Sequence, residues 1–295
     1  MLANHPSLRS VIVYDKHGND AGVSGFTNIL RRLRTGTYDV AIIPHRSLRS
    51  ALLARFAKIP KRIGFDKSAG AWLMTEVVGY DASLHEVMRN AKLLEPMGIA
   101  VDQKEFPVLY PSEEDRAIVS KLLSALREDD RRTMVAIAPG SVWNTKRWPK
   151  ERFAALTKSL ASSGRAVVIV GGEADRQMGD EIVAASESPR AINAAGRLSP
   201  LQSAVLIAMS RCLVTNDTAP MHIAVAMRTP VVAIFGATVP SFGFAPYGER
   251  DVILETHGLA CRPCSIHGGA TCPITTFDCM IKIPVEAVLQ EVAKM

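Results

Sequence analysis

The chain has 295 residues, 47% hydrophobic and 22% charged, with a formal net charge of +6. That length exceeds what one core usually serves, so two domains are expected, and the composition excludes both a disordered and a membrane-embedded chain. The basic balance favours anionic partners, either nucleotide phosphates, phosphorylated glycolipid or an acidic membrane face, while 3 Trp and 5 Tyr without an aromatic-interleaved basic run argue against nucleic acid.

In chain order, short β-branched runs alternate with longer amphipathic stretches, the pattern of βα units that feed parallel sheets. Strands are expected at Ser10–Tyr14, Tyr38–Ile43, Arg62–Phe65, Met134–Ala138, Ala166–Val170, Ala191–Asn193, Cys212–Thr215 and Val231–Phe235. Helices are expected at Gly25–Leu33, Leu48–Phe56, His85–Met97, Glu113–Arg127, Lys150–Ser163, Glu173–Ala185, Pro200–Ala208, Met221–Ala226 and Val285–Ala293. The pattern lapses between Met97 and Pro111, which divides the chain into residues 1–110 and 111–295. No apolar run approaches the roughly 18 residues of a membrane helix. The opening Met1-Leu2-Ala3-Asn4-His5-Pro6 has neither signal nor transit character, so a cytoplasmic location is expected.

Three strand ends in the second half carry candidate chemistry. In Cys212-Leu-Val-Thr-Asn-Asp-Thr-Ala-Pro-Met-His-Ile-Ala a buried strand runs into a helix that starts near Thr218–Pro220, with Asp217 or Thr218 as N-cap. Free amides and the helix dipole at such a start favour a phosphate, at the strand edge where open α/β sheets take ligands. Taken alone, the triplet reads better as an ordinary capped helix. In Ala138-Pro-Gly-Ser-Val-Trp-Asn-Thr-Lys-Arg-Trp-Pro, Gly140 allows close backbone approach, Ser141 and Thr145 offer hydroxyls, and Lys146 offers a compact charge for a diphosphate. Trp143 and Trp148 read as packing residues. The turn Gly171-Gly172-Glu173 could receive a base or ribose.

Together these segments describe a nucleotide-binding Rossmann-like domain, and they carry a resemblance. Residues 138–149, Gly-Gly-Glu-Ala-Asp at 171–175, Asn-Asp-Thr-Ala-Pro-Met-His-Ile-Ala at 216–224 and Thr-Pro-Val-Val-Ala-Ile-Phe-Gly-Ala-Thr at 229–238 resemble glycosyltransferase family 9, which contains the ADP-heptose:lipopolysaccharide heptosyltransferases. The resemblance implies an α/β, GT-B-like fold, two Rossmann-like domains facing across a cleft, with acceptor binding in residues 1–110 and nucleotide-sugar donor binding in 111–295. It implies that Lys146 stabilises the leaving diphosphate with Ser141 beside it, that Glu173 lies near the nucleoside, and that Asp217, Thr218 and His222 line the donor phosphate and sugar. A lone histidine on a helix face is more often a packed residue, which is the competing reading of His222.

The family's catalytic base lies in a Gly-Asp turn that follows an opening strand. This chain opens instead on Leu8-Arg-Ser-Val-Ile-Val-Tyr-Asp, the segment before the third strand, so the N-terminal domain is expected to lack a βαβ unit of about 30 residues and, with it, the base. Asp15 and Asp20 are the nearest carboxylates, and neither occupies such a turn.

In the first half, Ile42-Ile-Pro-His-Arg-Ser-Leu-Arg-Ser presents His45, Arg46 and Arg49, with Lys61 and Arg62 following. Arginine forks suit the phosphates and carboxylates of an inner-core acceptor, so Arg46 and Arg49 are the acceptor candidates, against solvated helix-end cations as the competing reading. His85, Glu86, Arg89 and Asn90 read as capping and structural contacts. Cys261-x2-Cys264-x7-Cys272-x6-Cys279 permits a tetrahedral zinc or iron, with four reduced thiols as the alternative and Cys212 an inert strand residue. Catalysis itself is expected to need no cofactor, since no Asp-x-Asp metal motif occurs. The function expected is inverting transfer of heptose from ADP-heptose to the lipopolysaccharide inner core, with peripheral contact at the inner face of the inner membrane. The alternatives are a related transferase using another nucleotide sugar and a non-catalytic sugar-nucleotide or glycolipid-binding protein.

Overall fold

The computed structural model of the chain describes residues 1–101 and 105–295. It divides into two compact units, Arg9–Glu105 and Met1–Leu8 together with Phe106–Met295. Residues 102–104, within the stretch where the sequence pattern lapses, lie outside the described residues. Met1–Leu8 belongs to the larger unit, where the Asn4 side-chain amide donates to Tyr110 O at 3.3 Å and the His5 ring meets the Tyr110 ring edge-on.

The smaller unit runs α1 (Gly22–Thr35), β1 (Val40–Ile43), α2 (Leu48–Phe56), β2 (Lys61–Phe65), β3 (Glu76–Val78) and α3 (Glu86–Ala91). Its parallel sheet has the order β1-β2-β3. Ser47 caps α2 by accepting from Arg49 N–H, and His85 caps α3 by accepting from Val87 N–H at 3.2 Å. The helix expected over His85–Met97 tightens after α3 into a 3-10 turn at Lys92–Met97, because Pro96 cannot donate to an α-helical ladder, and it ends on left-handed Gly98. Ser10–Tyr14 forms no strand. Val11 and Val13 are exposed and pair with no neighbouring ladder, and a β-branched run without a partner has no reason to extend.

The larger unit runs α4 (Glu113–Leu123), α5 (Glu128–Arg132), β4 (Val135–Ala138), α6 (Lys150–Ser162), β5 (Val167–Ile169), α7 (Arg176–Ser186), β6 (Ala191–Asn193), α8 (Pro200–Ala208), β7 (Cys212–Asn216), α9 (Ala219–Ala226), β8 (Val231–Phe235), β9 (Val252–Glu255), α10 (Asp278–Ile281) and α11 (Val285–Ala293). Capping boxes start two of these helices, Ser112 with Asp115 at α4 and Ser199 with Gln202 at α8, where Pro200 also occupies the first turn. The six-stranded sheet is parallel throughout in the order β6-β5-β4-β7-β8-β9. Alternation along the strands fills both faces: Val135, Ile137 and Val214 meet α6, α7 and α11, while Ala136, Ala138 and Leu213 meet α4, α8 and α9. Strand order reverses between β4 and β7, which makes this a doubly wound sheet whose switch point lies at the carboxyl ends of those two strands.

Candidate functional site

The turn after β4 and the turn after β7 therefore emerge side by side, and one buried amide ties them together. Asn216, fully buried at the end of β7, donates to Pro139 O at 2.8 Å and accepts from Trp148 N–H at 3.0 Å. Trp148 is buried, with its ring edge-on to Phe153 and its indole N–H given to Ile283 O at 3.1 Å. Those contacts fix both ends of the β4 turn and aim the 3-10 turn Asn144–Lys146 back over the strand ends. Lys146 Nζ stands 2.6 Å from Asp217 Oδ2, the side chains being only 14% and 10% exposed. The same carboxylate oxygen accepts from the buried Thr238 hydroxyl at 2.7 Å, so the ends of β4, β7 and β8 converge on one anion–cation pair.

Thr218 is the N-cap of α9, in extended conformation, with Pro220 in the first turn. Its hydroxyl makes no cap bond; it lies 3.3 Å from the Thr215 hydroxyl and 3.4 Å from Asn216 O instead. The positive end of α9 thus carries no cap bond from Thr218, and it follows directly on Asp217, the partner of Lys146. Ser141 is half-buried in the same turn, its carbonyl held by the Arg147 guanidinium at 2.7 Å. His222 lies exposed on α9. Glu173, 69% exposed, is paired with Arg176 at 3.0 Å, and its other oxygen sits against left-handed Gly196.

Several residues do something other than the sequence suggests. Gly140 leaves room for Asp175: a β-carbon there would lie 2.1 Å from Asp175 Oδ1, while Asp175 Oδ2 accepts from Gly172 N–H at 2.9 Å. Thr145 is buried and its hydroxyl accepts from Gly269 N–H at 2.7 Å, so it is engaged by the loop. Trp143 is 41% exposed and does not pack in the core as Trp148 does. Asp175, Asn216, Thr238 and Gly269 were not singled out by sequence, although Asp175, Asn216 and Thr238 sit inside the motifs that drew attention and only Gly269 lies outside them.

In the smaller unit, the Arg46 guanidinium lies over the Tyr80 ring at 4.6 Å, and Arg49 donates to the Tyr14 hydroxyl at 2.9 Å. Both remain exposed. Lys61 and Arg62 are structural, because Lys61 donates to Pro96 O at 2.7 Å and Arg62 to Leu73 O at 2.8 Å and Pro60 O at 3.1 Å. Arg89 is buried, donating to Asp81 O and Leu84 O and to the Tyr80 hydroxyl.

Among the described residues no three His, Cys, Asp or Glu side chains are gathered so as to hold a metal ion, and the tetrahedral arrangement expected of Cys261, Cys264, Cys272 and Cys279 is not formed. The four thiols still share a neighbourhood. Burial, and then the neighbouring Cys261 and Cys272, raise the Cys264 thiol, and burial with the neighbouring cysteines raises Cys279. Cys272 is lowered instead, chiefly by the backbone amide of Phe277. Cys212, sealed inside β7, is pushed up to about 12 by burial.

Fold and site define an α/β protein with a doubly wound domain and a lysine–aspartate pair beside a helix start at its switch point. The sequence model of Glycosyltransferase family 9 (heptosyltransferase) matches residues 26–271, and the chain belongs to that family. It is 33% identical over 222 residues to Lipopolysaccharide heptosyltransferase 2 of Salmonella typhimurium, covering 71% of this chain and 63% of that protein's length. It is 29% identical over 266 residues to Lipooligosaccharide heptosyltransferase 2 of Haemophilus influenzae, covering 86% and 76%. Among solved structures it matches the ADP-heptose lps heptosyltransferase II of E. coli with a TM-score of 0.75 and 29% identity, covering 91% of this chain and 80% of that one. A glycosyl transferase family 9 structure from Veillonella parvula shares the fold, with a TM-score of 0.83 and 23% identity over 100% and 85% of the two chains. The GT-B-type α/β fold expected from the motifs is the fold observed.

Proposed function

We propose that this chain takes part in transferring heptose from ADP-heptose to the inner core of lipopolysaccharide, with inversion at the anomeric carbon. The observation that carries the proposal is the Lys146–Asp217 pair, closed by Thr238 and set at the switch point beside the start of α9, to which Thr218 gives no cap bond. A diphosphate placed there meets a lysine ammonium and helix amides held in position before it arrives, and these groups gain strength as the leaving group acquires charge. Three protons on the ammonium allow Lys146 to keep Asp217 while donating to phosphate. Asp217, with Thr218 and His222, is assigned to the phosphate and sugar, Ser141 to the diphosphate and Glu173 to the nucleoside. The names of the relatives point to the same donor and acceptor.

Inverting attack requires a base to take the acceptor proton. We assign that role to neither Asp15 nor Asp20, whose carboxylates bind their own loop: Asp15 accepts from Gly18 N–H at 3.0 Å and Asp20 from Asp15 N–H at 3.0 Å. On the acceptor side, Arg46 and Arg49 are proposed to meet the anionic groups of the inner core, and the smaller unit is read as the acceptor domain. The net charge of +6 supports contact with the anionic inner face of the inner membrane. Among the described residues no helix is long and apolar enough to cross a membrane. For the four cysteines, the Cys-x2-Cys spacing and their shared neighbourhood support a structural zinc or iron, which would require the loop to draw the sulfurs together.

The test is calorimetric titration of ADP, set beside chromatographic assay of heptose transfer from ADP-heptose to a heptose-deficient core acceptor. Saturable ADP binding with transfer supports the proposal, binding without transfer leaves a donor-binding protein, and the absence of both removes it.

A further inference from the structure

The loop that carries the cysteines reaches the Lys146–Asp217 pair from both sides. On the aspartate side, Cys264 N–H donates to Ala237 O at 2.9 Å, and the nearly buried guanidinium of Arg262 donates to Thr238 O at 2.8 Å and to Glu255 at 2.7 Å. Thr238 is the residue whose hydroxyl holds Asp217. On the lysine side, the Ser265 hydroxyl closes a turn onto Gly268, accepting from its N–H and donating to its carbonyl, both at 2.8 Å. The next residue makes a reciprocal pair with Thr145: Thr145 N–H donates to Gly269 O at 3.1 Å and Gly269 N–H donates to the Thr145 hydroxyl at 2.7 Å. Gly268, at φ +87°, lies flat against the lysine stem, so that a β-carbon there would fall 3.0 Å from Lys146 Cγ and 3.1 Å from Cδ.

A lysine on a flexible four-carbon stem is poorly oriented by itself. Here the stem is walled by glycine backbone, and the preceding residue is pinned by two hydrogen bonds to the same loop. We propose that Thr145, gripped by the Ser265–Gly269 turn, is a positioning residue that holds the Lys146 ammonium on the donor-phosphate side of the switch point, and that Gly268 is glycine to let the stem pass. The inference rests on the donor reading for its consequence, while the clamp itself is a matter of this chain alone.

The experiment uses the full chain in four forms: wild type, Thr145→Val, Thr145→Ser and Gly268→Ala. Two readouts are taken, the acetylation rate of Lys146 by mass spectrometry and the affinity for ADP by calorimetry, with circular dichroism and melting recorded for each protein. Thr145→Val removes the hydroxyl acceptor from Gly269 N–H, so Lys146 should acetylate several-fold faster and ADP should bind about tenfold more weakly, the worth of one well-placed hydrogen bond. Thr145→Ser retains the acceptor and should stay within about twofold of wild type in both readouts. Gly268→Ala pushes the stem aside from the loop and should reproduce the valine result without losing a buried hydroxyl; it decides the matter should Thr145→Val fail to fold. A folded Thr145→Val protein with wild-type acetylation and ADP affinity overturns the proposal, as does a serine variant as impaired as the valine one. Wild-type protein that does not bind ADP defeats the donor reading instead, and the acetylation rates then still decide the clamp.

Discussion

Replacing Lys146 by alanine removes the partner of Asp217 and, in the function proposed above, the cation that meets the donor diphosphate. In the folded protein the ammonium neutralises Asp217, whose remaining donor is the Thr238 hydroxyl. Breaking a fully buried ion pair costs about 3–5 kcal/mol. This pair keeps some exposure, 14% and 10%, so a loss of about 1–3 kcal/mol is expected. At about 2–4 °C per kcal/mol for a domain of this size, the melting point should fall measurably without loss of fold. The proposed catalytic task is the departing diphosphate, where losing a preorganised charged contact is expected to lower kcat by about 10²–10³-fold, or about 3–4 kcal/mol, with a smaller change in KM. Adding Asp217→Asn to Lys146→Ala removes the unpaired charge and should recover most of the melting point while leaving turnover low. The assay is initial-rate transfer from ADP-heptose across the two single variants and the double variant, alongside thermal melts. Wild-type kcat in a folded Lys146→Ala protein would falsify the leaving-group role, and recovery of turnover in the double variant would show that the lysine matters only as a partner for Asp217.

Asn216→Ala leaves Trp148 N–H and Pro139 O without their buried partner, at about 1–3 kcal/mol for each stranded group, and urea unfolding should place this variant among the most destabilised single substitutions in the larger unit. The thiols should alkylate in a set order as pH rises in protein treated with a chelator. Cys272, with its thiolate favoured by backbone amides, should react with iodoacetamide at the lowest pH, Cys264 and Cys279 should follow at higher pH because burial holds them protonated, and Cys212 should remain unmodified short of unfolding; mass spectrometry of timed samples reads the order, and early loss of Cys212 would contradict it. If the four loop cysteines hold a metal, protein purified without affinity metal should carry about one zinc or iron per chain by elemental analysis, and stripping it should lower the melting point. Metal-free protein with an unchanged melt removes that reading.

The helices with a grammar of their own were legible from sequence. Leu48–Phe56, Pro200–Ala208 and Val285–Ala293 begin and end where periodicity and caps place them, and the buried strands of the larger unit lie within a residue or two of their apolar runs. What failed depends on partners. The three residues of β3 are too few for a periodic signal, and β9 is a half-buried edge strand that takes its ladder from β8. Ser10–Tyr14 shows the converse, an apolar run that is β-branched enough to read as a strand yet has no ladder beside it.

The candidate site divides along the same line. Lys146, Asp217 and Thr218 could be read because each sits in a strand–turn–helix segment whose local geometry already implies an anion site. Their orientation could not, since it comes from contacts across long stretches of chain: Asn216 to Pro139, Thr238 to Asp217 and Gly269 to Thr145. The cysteine loop makes the point most sharply. Its spacing suggested a metal knot indifferent to the chemistry, because nothing in the local sequence says where a loop after β9 will go. The parallel sheet decides that. Every strand delivers its carboxyl end to the same edge, so a segment that leaves β9 starts beside the end of β8 and can cross the end of β7 to reach the Lys146 turn after β4. Gly268 then looks like a spacer residue in sequence and like the wall of the lysine in structure, and Gly269 like a second spacer that turns out to hold Thr145. A small residue without periodic context in such a loop is therefore better judged by the strand ends it can reach than by its neighbours in the chain.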